Sequence, residues 1–464
     1  MSLLLIHPPV VKPCEPPAGI AKLYAALNYH GIKAQLLDAN IEGQRFLLNQ
    51  PVSPTDTWTT RAVNHREENL KALTSRESYQ NIDRYKRSVH ELNRLLERAG
   101  VETGVRLALA DYQDQHLSPV RSADLVSAAE QPEKNVFYPY YQDRLKNIIE
   151  QEKPSLVGFS LNYLSQALCT FAMMGFMKQH WPDLKIVLGG GLVTSWMRRP
   201  EWKNPFAGLV DHLVAGPGEK HLIGLMGGTQ RGTVDCPPDY FALPLDDYLA
   251  PGLILPYSAS SGCYWNKCSF CPERAERNPY RPVADAQVLK ELRHLVESTQ
   301  PVLIHLVDNA IRPSLLKALG SHARKTPWYG FVRVTPELTD LDYCRALKQS
   351  GCVMLKLGIE SGDQEVLDRL GKGVAIAMAA QALQTLKRAS IATYVYLLLG
   401  TPPENEASAR KTLDFVVANH EAMDFLNLAI FNLPVHGPEA DLVQTKKFYE
   451  GDLCLYTDFE HPQG

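Results

Sequence analysis

The sequence has no long apolar run, no excess of charge of one sign and no leader-like start. Its 48 basic and 51 acidic side chains leave a formal net charge of −3 over 464 residues, which gives no reason to expect nucleic acid as a partner. No stretch approaches the ~18 apolar residues of a membrane span. The first residues, MSLLLIHPP, lack the basic region and long apolar core of a signal peptide. We therefore expect a cytoplasmic protein without a membrane span.

Internal repeats and low-complexity tracts are also lacking, and 45% of the residues are hydrophobic, so a disordered or fibrous protein is excluded. Over residues 1–235, short apolar runs alternate with helical patterns. This alternation predicts a Rossmann-like open parallel sheet with helices on both faces. A polar stretch over about 40–153 interrupts it and is interpreted as a helical insertion.

A connector rich in proline and aspartate, residues 236–252, is typical of an interdomain linker. A more regular alternation follows over 253–432, with six strand patterns and five helical patterns between them. This is two units short of a closed eight-unit barrel, so we predict a partial (β/α)6 TIM-like barrel with an open side. Residues 433–464 form a C-terminal tail.

Three of the nine cysteines lie in the run SGCYWNKCSFCPE, directly after the first strand of the predicted barrel. Three thiolates from Cys263, Cys268 and Cys271 can hold three corners of an iron–sulfur cube and leave the fourth iron open to an exogenous ligand. The alternative is a structural zinc site, which needs a fourth ligand such as His294 or His305. Either reading favours a reducing compartment.

From about residue 251 to 431 the chain resembles the core of a radical S-adenosylmethionine (SAM) enzyme. The family signature is C-x-x-x-C-x-x-C, and this chain has one extra residue in the first gap. Phe270 matches the aromatic position before the third cysteine. The resemblance implies a 4Fe–4S cluster, SAM as cofactor, reductive formation of a 5′-deoxyadenosyl radical, and an electron donor such as flavodoxin or ferredoxin.

The same resemblance suggests SAM contacts at the ends of the barrel strands. Glu360 and Ser361 occupy the polar position in LKLGIESGDQEVLDRLGKG, and Gly400 allows close backbone approach in YLLLGTPPENEASARKTLDF. Asp308 and Arg333 are further polar candidates, since a guanidinium can pair with the SAM carboxylate. Each has a structural alternative: Glu360 could cap the next helix, Asp308 and Arg333 could form ordinary ion pairs, and Gly400 could end a strand.

The first 230 residues resemble the cobalamin-binding domain that precedes the barrel in one branch of this superfamily. Small residues at strand ends, here Ser160, Gly190, Gly191 and Gly218, would let the macrocycle approach the backbone. The cobalt-ligating D-x-H-x-x-G motif of many cobalamin proteins is absent, which leaves the lower axial ligand open. The alternative is a sheet that keeps this fold and serves as a docking wall.

Together these resemblances imply a radical SAM enzyme that methylates an unactivated carbon through methylcobalamin. Two alternatives stay open. One is a radical SAM enzyme whose N-terminal domain no longer binds cobalamin and which catalyses a different radical reaction, such as cyclisation, oxidation or rearrangement. The other is a non-enzymatic iron–sulfur or zinc protein that uses the barrel for binding. The substrate, a small molecule, lipid or peptide, is not readable from the residues.

Overall fold

We describe the protein from a computed structural model, over residues 2–54, 56–228, 236–322, 326–446 and 450–462. These residues divide into two compact units. The N-terminal unit runs up to Ile254 and also includes Glu450–Cys454, and the C-terminal unit holds the rest of the chain from Leu255. No helix in the described part of the chain is long and apolar enough to cross a membrane.

A five-stranded parallel sheet forms the centre of the N-terminal unit, as predicted. Its strands lie in the order β2-β1-β3-β4-β5, so the first strand pairs with strands on both sides: Leu3 lies opposite Ala34 and Leu156. Every residue of the first strand is buried, which explains its unbroken apolar sequence. The strands are β1 Leu3–His7, β2 Ala34–Asp38, β3 Leu156–Ser160, β4 Lys185–Gly189 and β5 His212–Leu213.

Helices connect these strands and fill the long segment between β2 and β3. That segment, predicted as a helical insertion, also holds a β-hairpin of Val105–Ala108 and Asp111–Asp114, which the sequence did not indicate. The α-helices of more than three residues in this unit are α1 Ala18–Tyr29, α2 Ala39–Asn49, α3 Thr57–Asn64, α4 Arg66–Leu73, α5 Ile82–Gly100, α6 Ser122–Glu130, α7 Lys146–Glu152, α8 Leu164–His180, α9 Gly191–Met197 and α10 Glu219–Leu225.

The described part of the connector packs onto the N-terminal unit along its length. The Asp239 amide donates to the carbonyl of Ala21, and the buried Tyr248 hydroxyl donates to Asp38 at 2.7 Å. These contacts hold the connector against α1 and the end of β2, so it is an ordered part of this unit.

The C-terminal unit is built on six strands that neighbour one another in chain order, and the pairs from the second strand onward are parallel. This confirms the predicted sequence of strands, with boundaries shifted by a residue or two; their curvature into a partial barrel stays a prediction. The strands are β6 Ile254–Tyr257, β7 Leu303–Leu306, β8 Trp328–Val332, β9 Cys352–Glu360, β10 Ala392–Leu399 and β11 Phe425–Ile430.

Along β8 and β10 of this sheet, more and less buried side chains alternate between the two faces. In β10 the side chains of Thr393, Val395 and Leu397 are buried, whereas Tyr394 and Tyr396 between them are half-buried, as expected for a strand with one covered face. The helices of this unit are α11 Pro272–Ala275, α12 Asp285–Thr299, α13 Pro313–Gly320, α14 Leu341–Gln349, α15 Gln364–Arg369, α16 Ile376–Arg388 and α17 Glu406–Asn419.

The end of the chain adds short antiparallel strands, Leu433–Pro434, Thr445–Lys446 and Tyr456–Phe459, to the C-terminal unit. Between the last two, the chain contributes a short segment to the N-terminal unit. There the Leu453 amide donates to the carbonyl of Val120, and the side chain of Asp452 accepts from the Ser122 amide at 2.8 Å.

Candidate cofactor site

The three cysteines of the predicted cluster lie on the loop between β6 and α11. Cys268 is buried, and Cys263 and Cys271 are half-buried. Their thiols are close enough to interact electrostatically: burial raises the pKa of Cys271 to about 11, and Cys268 and Cys263 add to the rise. Metal binding requires thiolates, so this loop needs positive charge or iron beside it to hold three anionic sulfurs.

Two cations supply positive charge beside Cys268. Burial raises the pKa of this thiol, and Lys372 and Arg333 oppose the rise. Arg333 is only 7% exposed, and its guanidinium lies 4.0 Å from the ring centroid of Trp265 and 3.9 Å from the Cys268 sulfur. The Arg333 side chain also donates to the backbone carbonyl of Lys372, so the two cationic residues contact each other beside the cysteine loop.

The loop at residues 370–373 is hydrogen-bonded to the cysteine loop and holds it in place. The Trp265 indole donates to the carbonyl of Gly371 at 3.0 Å, and the Ser269 amide donates to the carbonyl of Leu370 at 2.9 Å. Gly371 and Gly373 both have φ of +64°, which favours glycine. A Cβ on Gly373 would also fall far inside van der Waals contact with the Trp265 ring, so glycine is needed there for both reasons.

Lys372 forms a buried ion pair with Glu360 at the end of β9. The Lys372 Nζ lies 2.7 Å from Glu360 Oε1, and the side chains are 7% and 12% exposed. Lys372 also lies 5.7 Å from the ring centroid of Phe270. Glu360 has a φ of +70° and follows a register shift in the pairing of β9 with β10, so the strand end turns its carboxylate toward Lys372.

The alternative role for Glu360, capping of the next helix, does not describe this structure. Helix α15 is capped by Asp363, whose side chain accepts from the Glu365 amide. Ser361 is fully buried and lies 3.2 Å from Thr412 of α17, oxygen to oxygen. Its hydroxyl therefore ties the strand end to that helix.

The remaining SAM candidates have different surroundings. Asp308 is buried and accepts hydrogen bonds from the Ala259 amide and the Ser260 hydroxyl, so it links the end of β7 to the segment after β6, and burial raises its pKa. Gly400 has a φ of +76°, and nothing lies within 4 Å of where its Cβ would be. Its amide donates to Glu404.

The structure thus places Arg333 and Glu360 beside the cysteine loop, which itself contains Phe270. All three residues lie against Lys372. Sequence reasoning missed Lys372 and Trp265. The signal that could have found them is LGKG, in which two glycines flank a lysine, together with a tryptophan inside the cysteine run.

The zinc alternative depends on a histidine as fourth ligand. His305 lies 3.3 Å from the Nζ of Lys356 and stacks on Tyr329, and His294 is exposed on α12. Among the described residues, no group of three or more His, Cys, Asp or Glu side chains, the three loop cysteines included, is arranged to hold one metal ion. An iron–sulfur cube takes one thiolate per iron, and three mutually interacting thiols on one loop, with two cations beside them, fit that donor set.

The predicted cobalamin residues lie at the carboxyl edge of the N-terminal sheet. Asn162 joins two of them: its side chain donates to the Ser160 hydroxyl at 3.1 Å and accepts from the Gly191 amide at 2.9 Å. Gly190 has a φ of +110°, and a Cβ there would overlap the Leu161 backbone.

Gly218 directly precedes α10, and a Cβ there would lie 3.4 Å from the side chain of Leu23. His7 and Asp38, which the sequence reasoning did not assign, lie buried at the ends of β1 and β2. They share the carboxyl edge of the sheet with Ser160, because parallel strands end on the same side.

Comparison with known proteins supports the resemblance of the C-terminal unit. Residues 257–416 match the model of the Radical SAM superfamily. An uncharacterized methyltransferase of Pyrococcus horikoshii is 25% identical over 307 residues, which are 58% of this chain and 66% of that protein. The hopanoid C-3 methylase of Methylococcus capsulatus is 22% identical over 346 residues, 67% of this chain and 64% of the methylase. The chain thus spans about two thirds of the length of these curated relatives.

Solved structures share the fold. The cobalamin-dependent SAM radical enzyme OxsB, with aqua-cobalamin bound, matches with a TM-score of 0.63 and 13% identity, over 100% of this chain and 64% of OxsB. The radical SAM methyltransferase TsrM from Kitasatospora setae, with cobalamin and a 4Fe–4S cluster bound, matches with a TM-score of 0.56 and 16% identity, over 95% and 77% of the two chains. The α/β unit with a parallel five-stranded sheet therefore precedes, along the chain, residues 257–416 that match the Radical SAM superfamily, and this match implies a 4Fe–4S cluster and SAM as cofactors.

Proposed function

We propose that this protein reductively cleaves SAM at a 4Fe–4S cluster bound by Cys263, Cys268 and Cys271, and methylates an unactivated carbon through methylcobalamin. The observation that carries the proposal is the cysteine loop itself, in which three thiols interact with one another beside two cationic residues that are hydrogen-bonded together. When bound, the cluster and SAM supply one-electron reduction of a sulfonium and a carbon-centred radical. A flavodoxin or ferredoxin is the class of reductant we expect.

The protein's own residues position and shield this chemistry. The buried Arg333 guanidinium lies against both the Trp265 ring and the Cys268 sulfur, so it would neutralise thiolate charge there. The Glu360 carboxylate is held at the end of β9 by Lys372. It can accept hydrogen bonds from ribose hydroxyls or from the ammonium of the methionine part. Gly400 leaves open space where a side chain would stand.

The cobalamin part of the proposal is supported by the fold of OxsB and TsrM, which carry cobalamin, and by the methyltransferase and methylase relatives. The second candidate, a radical SAM enzyme whose N-terminal unit binds no corrinoid, is favoured by Gly190. Its glycine requirement is already explained by the Leu161 backbone, without any macrocycle.

Anaerobic reconstitution with iron, sulfide and hydroxocobalamin tests both parts. We expect about four irons per chain, SAM-dependent release of 5′-deoxyadenosine under dithionite, and corrinoid absorbance that stays with the protein through gel filtration. Alanine at any of the three cysteines should remove most of the iron and the nucleoside release.

Cys14→Ala is the matched control, because Cys14 is half-buried and burial raises its pKa to about 11, as for Cys271. It should keep both the iron and the nucleoside release. Retention of both in the three loop variants would refute the cluster assignment, and nucleoside release without bound corrinoid would favour the second candidate.

A further inference from the structure

One face of the six-stranded sheet carries a continuous group of half-buried aromatic rings. We call Tyr329 and Phe331 of β8 and Tyr394 and Tyr396 of β10 the aromatic face. Each of these side chains is half-buried, whereas the alternate residues on the opposite face are buried. Rings on a covered core face would be buried as well, so these rings offer apolar surface to a ligand.

The rings contact one another across the strands. The centroids of Phe331 and Tyr396 are 4.7 Å apart, and those of Tyr394 and Tyr396 are also 4.7 Å apart. Phe425 of β11, which is 55% exposed, extends the group at 5.7 Å from Tyr394. The surface is therefore contiguous over four strands, β8 to β11, because Lys356 of β9 lies in register between Phe331 and Tyr394.

Lys356 places a cation in the middle of the aromatic face. Its Nζ lies 4.9 Å from the ring centroid of Tyr329 and 5.7 Å from that of Phe331. It also lies 3.3 Å from the Nε2 of His305, whose ring stacks on Tyr329 at 4.4 Å. Because Lys356 is half-buried beside ring faces, its charge is screened less than in open water, which strengthens its attraction for an anion.

The position of Lys356 relates this face to the cofactor site. Lys356 precedes Glu360 by four residues on β9, about 13 Å along an extended strand. A molecule whose anionic group is held at Lys356 could therefore extend along the rings toward the strand ends, where Glu360 and the cysteine loop lie.

We propose that the aromatic face binds the substrate, and that the substrate is a largely apolar, ring-bearing molecule with one anionic oxygen group, a carboxylate or a phosphate, paired with Lys356. The assignment of this molecule as the substrate rests on the proposed function, and the binding of such a molecule is tested without it.

The test uses two fluorescent probes that share one aromatic skeleton. 1-Anilinonaphthalene-8-sulfonate carries an anionic group, and N-phenyl-1-naphthylamine does not. Both are titrated into the full chain as purified, without reconstitution. Lys356→Met should weaken the anionic probe about tenfold, roughly the contribution of one charge-assisted contact, and leave the neutral probe within about twofold.

Two further variants keep the result interpretable. Lys356→Arg keeps the charge and should bind the anionic probe within about threefold of the parent chain. Tyr396→Ala removes ring surface and should weaken both probes about tenfold. Far-ultraviolet circular dichroism confirms that each variant is folded. Unchanged affinity of the anionic probe for folded Lys356→Met would overturn the proposal.

Competition identifies the anionic group. Displacement of the sulfonate probe by 1-naphthoate assigns a carboxylate, and displacement by 1-naphthyl phosphate assigns a phosphate; either supports the proposal. Equal displacement by neutral 1-naphthol would overturn it. Since no step of this experiment needs iron or SAM, probe binding can fail while nucleoside release persists, and the reverse, so the two proposals fail separately.

Discussion

The buried ion pair between Lys372 and Glu360 gives a quantitative test of how the cofactor site is held together. Removal of one partner from a buried pair leaves an uncompensated charge, at a cost of about 3–5 kcal/mol. With the Glu360 side chain 12% exposed, we expect Lys372→Met to lower the free energy of unfolding by about 3 kcal/mol. Glu360→Gln keeps a hydrogen-bond acceptor, so we expect it to lower the free energy of unfolding by a smaller amount, about 2 kcal/mol.

The double variant distinguishes coupling from simple loss of packing. With both charges removed, neither partner is left unpaired, and the total cost should be about 2 kcal/mol, well below the sum of the single variants. Urea unfolding of the apo chain, followed by circular dichroism and by tryptophan fluorescence, measures all four corners of the cycle.

The exposed pair of Lys387 and Glu421, 3.0 Å apart with side chains 46% and 74% exposed, is the control. Lys387→Met should change the free energy of unfolding by less than about 0.5 kcal/mol. If the costs of the Lys372 and Glu360 variants add to within about 0.5 kcal/mol in the double variant, the pair is not coupled and the reasoning is refuted.

Two further predictions follow from single side chains. Gly373→Ala should displace the Trp265 ring and lower the iron bound after reconstitution at least twofold. The control is Gly227→Ala, which should leave the bound iron unchanged, because Gly227 has a similar φ of +74° but nothing lies within 4 Å of the added carbon. Equal amounts of iron in both variants would contradict the packing argument. Asp211→Asn should destabilise the protein by about 1–2 kcal/mol at pH 7, because, against the opposing effect of burial, hydrogen bonds from Lys185, the Ile186 amide and Lys178 lower the pKa of Asp211 to about 2. The stability contributed by the Asp211 carboxylate is complete above the ordinary pKa of 3.8 and is lost as the pH falls toward 2. The difference in the free energy of unfolding between the parent chain and Asp211→Asn, measured by urea unfolding, should therefore fall to about half at pH 3. If this difference does not change with pH, ionisation of Asp211 is not its cause.

The sequence predicted the strands of both sheets because their signals are local. The first strand is apolar throughout since both its faces are covered, and β8 and β10 of the C-terminal unit alternate between more and less buried side chains. The cysteine loop was also predictable, because thiol spacing is read directly. Lys372 was not, since a lysine between two glycines looks like an exposed turn. The loop that carries it is held by Trp265, more than a hundred residues earlier in the chain, whose indole donates to the Gly371 carbonyl.

Capping shows the same limit at short range. Glu360, Ser361 and Asp363 all lie near the start of one helix, and any of them could have capped it. The left-handed φ of Glu360 and the contact between Ser361 and Thr412 decide the outcome in favour of Asp363. Neither feature can be read from residue types, because both depend on the path of β9 and on the position of α17.

The five residues Glu450–Cys454 complete the N-terminal unit with a segment that is translated long after the rest of that unit. Roughly two hundred residues of the other unit separate them from the rest of their own unit, about 10–40 s of synthesis at typical ribosomal rates. Until Leu453 leaves the ribosome, the Val120 carbonyl and the Ser122 amide lack the partners they have in the finished protein. A nascent chain arrested before that point would therefore expose this part of its surface to chaperones and proteases.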